Sequence, residues 1–302
     1  MVRLSAAAGV VSGVPAEISR VGIVGCGVMG SGIAEACARR DLDVVVVGPG
    51  AESVERGRRR LVDSLDRALR KSRISEAERD AVLGRARFTA DLQELADREL
   101  VLEAIPEDEP AKLAMFGDID KIVAAPEAVL GSNTSSIPIV RLARATQRPE
   151  QVIGIHFFSP AAIQPLVEVV PSLLTSTRAG ERVESFLVDR LGKQPIRSPD
   201  RAGFVVNALL IPYLLAAIRM VESGFAPAET VDRGMVLGCS HPVGPLKLVD
   251  LIGLDTIAAV AQSLYQEFRE PQYAPPPLLR RMVEGGLYGK KSGQGFYTYP
   301  LA

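Results

Sequence analysis

Through the first two-thirds of the chain, short uninterrupted apolar runs alternate with longer stretches of mixed polarity. Val21–Val24, Val44–Val47, Leu100–Ala104 and Ala128–Leu130 are too short for helices and, Glu103 apart, carry no charged or hydrogen-bonding side chain. Runs of this kind fit strands buried on both sides, and Arg87–Thr89 reads as a further short strand. Between them lie helical patterns. Ser31–Arg40 sets Ile33, Ala34 and Cys37 on one side, and about Glu52 to Lys71 sets Leu61, Leu65, Ala68 and Leu69 on one side. Ser75 with Glu78 has the S-x-x-E spacing of a capping box, and Glu109–Val123 reads as a crossover helix. Strands and helices taken in turn predict an α/β domain with a doubly wound, mainly parallel sheet of Rossmann-like type.

Farther along, Ile153–Phe158 and Leu166–Val170 are strand-like and are separated by a stretch with two prolines. The turn there favours antiparallel pairing, which would bring His156 near Glu168. Thr175–Leu191 reads as a helix ended by Gly192. From Gly203 the texture changes: Phe204–Ile218 has Asn207 as its only polar residue before Arg219. That run is too short for a membrane span, and Pro212 would kink it. A helix apolar on all sides is covered on all sides, by its own core or by a second subunit. Helical patterns continue at Pro227–Leu237, Leu246–Phe268 and Pro277–Glu284, with no strand pattern until the last few residues. The expected organisation is a flexible tail over residues 1–19, a dinucleotide-binding domain over 20–201 and an all-helical domain over 202–302.

The first expected strand runs straight into Gly25-Cys-Gly27-Val28-Met29-Gly30, a G-x-G-x-x-G that opens a helix. In that context each glycine has a physical role. Gly25 allows a tight turn, Gly27 lets backbone approach a pyrophosphate, and Gly30 lets helix and strand pack closely. The helix N-terminus would face the phosphates across Val28 and Met29. The second strand ends at Gly48. An acidic residue at that point would ordinarily bind the adenosine ribose.

A chain of 302 residues suffices for two domains. Its 47% hydrophobic and 24% charged residues are ordinary for a globular protein. A formal charge of −1 gives no reason to expect nucleic acid or a membrane surface as a partner. Cys26, Cys37 and Cys239 are odd in number and widely spaced, with no C-x-x-C. That argues against disulfides or a thiolate metal site and fits a reducing cytoplasm. Residues 1–18 include a weakly apolar stretch, but Gly and Pro interrupt it, and a loosely attached tail is the better reading than a signal peptide.

Two histidines occur. His156 ends an apolar run, and a carboxylate such as Glu168 would fix its tautomer as in other His–acid pairs, so it is either a general base or a satisfied structural histidine. His241, before Pro242, reads as a turn residue. Ser132–Ser136 and Glu103–Glu107 follow buried strands, which places them at the crevice where a ligand lies in such sheets. The helix over 52–71 carries Arg56, Arg58, Arg59, Arg60, Arg67, Arg70 and Lys71. They form either a solvated face or a platform for an anionic group.

The ordered set GCGVMGSGIAE, LVLEAIPED, SNTSS, GIHFFSP with PLVEVV, GFVVNALLIPYL, HPVGPL, GLD and GKKSGQGFY, from about Arg20 to Tyr299, resembles the L-3-hydroxyacyl-CoA dehydrogenase family and its bacterial 3-hydroxybutyryl-CoA branch. The resemblance implies an oxidoreductase of fatty acid metabolism that interconverts a short (3S)-3-hydroxyacyl-CoA and its 3-oxo form with NAD. By the same resemblance His156 is the base, Glu168 orients it, Ser135 contacts the reacting oxygen and the cofactor, and Asn207 helps hold the acyl group. Glu107, Lys112 and Lys291 match cofactor contacts, and Ser64 and Lys71 match coenzyme A contacts on the long helix. A homodimer through the helical domain is also implied.

Two departures stand out: Ser159 replaces a common Asn after H-F-F, and Gly48 replaces the strand-end acid, which admits NADP beside NAD. Two other functions compete. One is a dehydrogenase of acyl groups on a carrier protein; the other is a nucleotide-binding protein that has lost turnover, against which intact His156, Glu168, Ser135 and Asn207 argue.

Overall fold

The computed structural model describes residues 17–300. Most of the expected tail over residues 1–19 lies outside them. Its last residues are anchored: Ile18 is buried, and Ser19 donates through its backbone and hydroxyl to Glu99 (2.8 and 3.0 Å).

The first part of the chain runs β1 (Arg20–Val24), α1 (Val28–Ala38), β2 (Asp43–Val47), α2 (Ala51–Arg70), α3 (Glu76–Arg85) and β3 (Ala86–Thr89). It continues through β4 (Leu100–Glu103), α4 (Glu109–Ile122), β5 (Val129–Ser132), α5 (Ile139–Arg144) and β6 (Val152–Phe157). β7 (Leu166–Pro171), α6 (Thr177–Ser185) and β8 (Gln194–Arg197) complete the sheet domain. The helical domain follows with α7 (Val206–Glu222), α8 (Ala228–Cys239), α9 (Pro245–Ile252), α10 (Leu254–Phe268) and α11 (Pro277–Glu284).

One sheet has the order β3-β2-β1-β4-β5-β6-β7-β8. β1 to β6 are parallel, β7 runs antiparallel to β6, and β8 is parallel to β7. The side chains of each strand divide between two cores. Val21, Ile23, Val44, Val46, Leu100 and Leu102 pack with Ile33, Cys37, Leu61 and Leu65 on one face. Val24, Val45, Val47 and Val101 pack with Phe116, Ile119 and Leu142 on the other. Because both faces are covered, the strands read as continuous apolar runs without alternation. The capping box at Ser75 and Glu78 is formed in both directions.

Two expectations need correction. Leu246–Phe268 is two helices, not one, because the chain breaks at Gly253 (φ 107°) and α9 and α10 meet at 96°. The segment expected as a helix over Thr175–Leu191 is α6 followed by a π turn over Phe186–Arg190, and Gly192 (φ 64°) ends it. The apolar helix α7 passes through Pro212 and buries Ile211, Leu214, Leu215 and Ile218 in the helical core, while Leu209 stays 73% exposed. Its own chain therefore covers only part of that apolar surface. Among the described residues no single helix is long and apolar enough to cross a membrane.

Candidate active site

The loop between β1 and α1 is shaped by its glycines. Gly25 has φ 120°, and a Cβ there would lie 2.5 Å from the Ala104 carbonyl oxygen. A Cβ on Gly30 would fall 1.9 Å from the Gly25 carbonyl oxygen, so α1 approaches β1 as closely as it does only because Gly30 has none. Gly27 differs: a Cβ there would meet nothing within 4 Å. Its open side adjoins the first turn of α1, where the N–H groups of Val28, Met29 and Gly30 lack intrahelical acceptors and no acidic side chain competes. This cradle fits a dinucleotide pyrophosphate.

β6 and β7 pair with His156 directly opposite Glu168. His156 Nδ1 lies 2.8 Å from Glu168 Oε2 and its Nε2 lies 3.1 Å from Ser135 Oγ. A carboxylate only accepts, so Nδ1 carries a proton; in the neutral imidazole Nε2 is then the acceptor, facing the Ser135 hydroxyl. Glu168 is 0% exposed and its other oxygen accepts from the Val205 and Val206 N–H groups, both at 2.9 Å. These are the first N–H groups of α7, so a helix N-terminus stabilises the carboxylate. The first helix of the helical domain is thus bonded to the partner of the histidine. Phe158 and Phe204 stand edge-on to the imidazole at 4.7 and 5.6 Å and help leave it only 5% exposed. Asn207 is half-buried, one residue after Val206 in the first turn of α7.

A second network holds the loop that carries Ser135. Glu107 Oε1 accepts from Thr134 Oγ1 (2.5 Å), the Ser135 N–H (3.0 Å) and Ser136 Oγ (3.0 Å). Burial opposes its ionisation, but the Lys112 ammonium and these three donors outweigh it and hold the carboxyl below its ordinary range. Lys112 is itself 1% exposed: its ammonium lies 2.6 Å from Glu103, 3.2 Å from the Ile105 carbonyl oxygen and 3.3 Å from Glu107. The structure encloses this ammonium in protein oxygens rather than presenting it to the cleft. Asn133 Oδ1 accepts from the Phe157 N–H (2.8 Å) and so ties the same loop to β6.

Arg60, Ser64, Arg67 and Lys71 recur at steps of four, three and four and share one face of α2. Arg60, Ser64 and Arg67 line a cleft of about 290 Å³ with Val28, Gly32 and the 159–163 segment that follows β6. The segment after the His156 strand therefore forms one wall and the basic helix the other. Arg56 pairs with Glu52, and Arg58 and Arg59 pair with Glu55. Arg67, Arg70 and Lys71 have no acidic partner among the described residues. A larger hollow of about 920 Å³, lined by Pro138, Asp200 and Glu267 among others, touches neither His156 nor the glycine loop.

Of the residues singled out in the sequence, Ser135, His156, Glu168 and the start of α7 meet in one cluster, with Glu107 behind Ser135. Gly25, Gly27, Val28, Met29 and Gly30 form the cradle. Lys291 sits in the helical domain, its ammonium 2.6 Å from Asp255. The two phenylalanines and the α7 N–H groups gave no signal of their own, while Asn133 was marked only by its place in the Ser132–Ser136 loop. Arg60 and Arg67 did, because their helical spacing from Ser64 was there to be read.

The chain matches two family models in succession: the 3-hydroxyacyl-CoA dehydrogenase NAD binding domain over residues 20–201 and the 3-hydroxyacyl-CoA dehydrogenase C-terminal domain over 203–299. It is 55% identical over 282 residues to a 3-hydroxybutyryl-CoA dehydrogenase of Mycobacterium tuberculosis, covering 93% of this chain and 99% of that one. A probable 3-hydroxybutyryl-CoA dehydrogenase of Deinococcus radiodurans is 45% identical over 280 residues, with 93% and 100% covered. Among solved structures, M. tuberculosis FadB2 superposes with a TM-score of 0.93 at 55% identity, covering 94% of this chain and all of that one. The (S)-3-hydroxybutyryl-CoA dehydrogenase PaaH1 of Ralstonia eutropha superposes with a TM-score of 0.87 at 42% identity, with 94% and 100% covered. With both models matched in order across the described fold, the chain belongs to the 3-hydroxyacyl-CoA dehydrogenase family.

Proposed function

We propose that this protein interconverts a short-chain (3S)-3-hydroxyacyl-CoA and the matching 3-oxoacyl-CoA. The observation that carries the reading is the line Ser135–His156–Glu168, in which Glu168 holds Nδ1 as the donor and turns Nε2 toward Ser135 at the carboxyl end of the sheet. The names of the relatives supply the substrate class.

In the oxidative direction Nε2 takes the proton from the 3-hydroxyl as hydride leaves C3. Glu168 stabilises the imidazolium that forms and keeps Nδ1 as the donor. General base catalysis of this kind is worth ~10²–10⁴-fold. The Ser135 hydroxyl, 3.1 Å from Nε2, contacts the same substrate oxygen, and Asn207 at the head of α7 holds the acyl carbonyl. A nicotinamide cofactor, when bound, supplies the hydride acceptor. Gly25, Gly27, Val28, Met29 and Gly30 hold its pyrophosphate, and Glu107 fixes the Ser135 loop beside it. Lys112 supports that site by holding Glu107 from below. Arg67, Ser64 and Lys71 bind the phosphates of coenzyme A along α2.

Either nicotinamide cofactor is accepted, NAD before NADP. Gly48 offers no carboxylate to the ribose, but Arg56 and Arg58 are already paired with acids and recruit no 2′-phosphate. A homodimer through the helical domain is supported by Leu209, Phe225 and Leu237, large apolar side chains left mostly exposed on a single chain.

The test is a panel of acetoacetyl thioesters, on coenzyme A and on an acyl carrier protein, with NADH and with NADPH. Reduction of the coenzyme A ester is expected. Turnover of the carrier-bound ester alone would move the substrate to that class. No turnover of either by a protein that binds the cofactors would make it a non-catalytic nucleotide-binding protein.

A further inference from the structure

The residue between the first two glycines of the loop, Cys26, is 3% exposed and is held on several sides. Its carbonyl oxygen accepts from Ser31 Oγ (3.3 Å) and from the Arg60 guanidinium (3.2 Å). α2 crosses it at Gly57, where a Cβ would lie 2.7 Å from the Cys26 Cβ. Burial pushes the thiol pKa up, so the side chain is a neutral, space-filling group.

The end of β2 lies against the same side chain. Val24 pairs with Val47, and the Gly25 N–H donates to the Val47 carbonyl oxygen (2.8 Å), which sets residue 48 beside the glycine turn. A Cβ built on Gly48 would stand 2.5 Å from Cys26 Sγ and 3.1 Å from Val54 Cγ2. The first distance is far inside contact, so a side chain at residue 48 requires the buried thiol or the strand end to shift.

We infer that Cys26 and Gly48 are a matched pair that sets the adenosine end of the cofactor site. The thiol fills the volume in which a residue-48 side chain must start. A strand-end carboxylate that would accept from the ribose hydroxyls and repel a 2′-phosphate therefore competes with Cys26 for the same space. The relaxed choice between NAD and NADP follows from packing beneath the loop, with Cys26 as a positioning residue. This rests on the nicotinamide reading above.

The test uses the full chain as wild type, Cys26→Ala, Gly48→Asp and the double variant. Kd values for NADH and NADPH are measured from dihydronicotinamide fluorescence, together with thermal melting. The wild type should bind both cofactors, with Kd values within about tenfold of each other. Gly48→Asp alone should melt well below the wild type or fail to fold. The double variant should fold, bind NADH, and bind NADPH at least about tenfold more weakly relative to NADH than the wild type does, because a carboxylate then faces the 2′-phosphate. A purely structural role for Cys26 would restore melting without moving that ratio, and would overturn the inference. So would a Gly48→Asp protein as stable and as selective as the double variant, or a double variant that fails to fold, since the obstacle would then lie elsewhere. A folded wild type that binds neither cofactor would instead refute the nicotinamide reading and the inference with it.

Discussion

Replacing Glu168 by Gln should abolish most of the activity while leaving the fold in place. The reason lies in its hydrogen bonds. Glu168 accepts three: the His156 Nδ1–H on Oε2, and the Val205 and Val206 N–H groups on Oε1. Glu168→Ala would leave the buried His156 Nδ1–H and two part-buried α7 N–H groups without their acceptor, at up to about 1–3 kcal/mol each, and would report little about chemistry. Glutamine keeps the shape but has one acceptor oxygen and an NH₂ group. Turning the oxygen to the α7 N–H groups satisfies two donors and sets the NH₂ against Nδ1. The opposite flip sets the NH₂ against two N–H groups. The first arrangement leaves fewer conflicts, and in it the imidazole must accept at Nδ1 and carry its proton on Nε2. Nε2 then no longer accepts the substrate proton. The comparable Asp→Asn change in a serine-protease triad lowers kcat by ≈ 10⁴-fold, so a fall of about 10³–10⁴-fold is expected here. The assay is kcat for oxidation of 3-hydroxybutyryl-CoA, alongside cofactor Kd and thermal melting. A folded variant that turns over within about threefold of wild type would show that the carboxylate does not select the tautomer.

His156→Gln should lower turnover by ~10²–10⁴-fold with little change in cofactor Kd, because the pyrophosphate cradle is built from other residues. Gly27→Ala and Gly30→Ala should separate binding from folding. A Cβ at Gly27 meets nothing, so melting should hold and cofactor affinity should drop; at Gly30 it meets the Gly25 carbonyl oxygen at 1.9 Å, and melting itself should collapse. Equal melting of the two variants would contradict this. Removing Arg67 and Lys71 together (both to Ala) should raise KM for coenzyme A thioesters with a smaller change in kcat, the signature of uniform binding; an unmoved KM would make that helix face a solvated one. Glu107 ionises more readily folded than unfolded, so the stability it adds is present above the ordinary carboxylate range and is lost as pH falls through its lowered pKa. Glu107→Gln should therefore flatten the acid limb of melting temperature against pH, and an unchanged limb would remove Glu107 from that linkage.

The sheet was legible wherever both of its faces are covered, because strands such as Val44–Val47 then carry no polar residue. β8, Gln194–Arg197, gave no such signal: it is an edge strand with exposed polar side chains. Gly253 was visible in the sequence but not its φ of 107°, so two helices at a steep angle read as one long helix. At the site, the short turn between β6 and β7 was enough to place His156 opposite Glu168. The α7 N–H groups that complete the Glu168 shell were not readable, since backbone donors carry no sequence mark and their approach depends on how the helical domain packs. Lys112 shows the converse: the sequence marks the residue, but only the fold shows that Glu103 and Glu107 enclose it. Gly48 stood out in the sequence as a strand end without its acid, whereas Cys26 carried no mark beyond its place in the glycine loop. Their reciprocity appears only when β1 and β2 are set side by side.

The most direct test of the proposed chemistry is oxidation of (3S)- and (3R)-3-hydroxybutyryl-CoA, followed by reduced-nicotinamide absorbance, with wild type and His156→Gln side by side. Wild type should turn over the (3S) ester at a rate on the order of 1–10³ s⁻¹, leave the (3R) ester untouched, and lose that rate in the variant. A wild-type protein that binds the cofactor and oxidises neither ester, or a variant as fast as wild type, would contradict the assignment of His156 as the base.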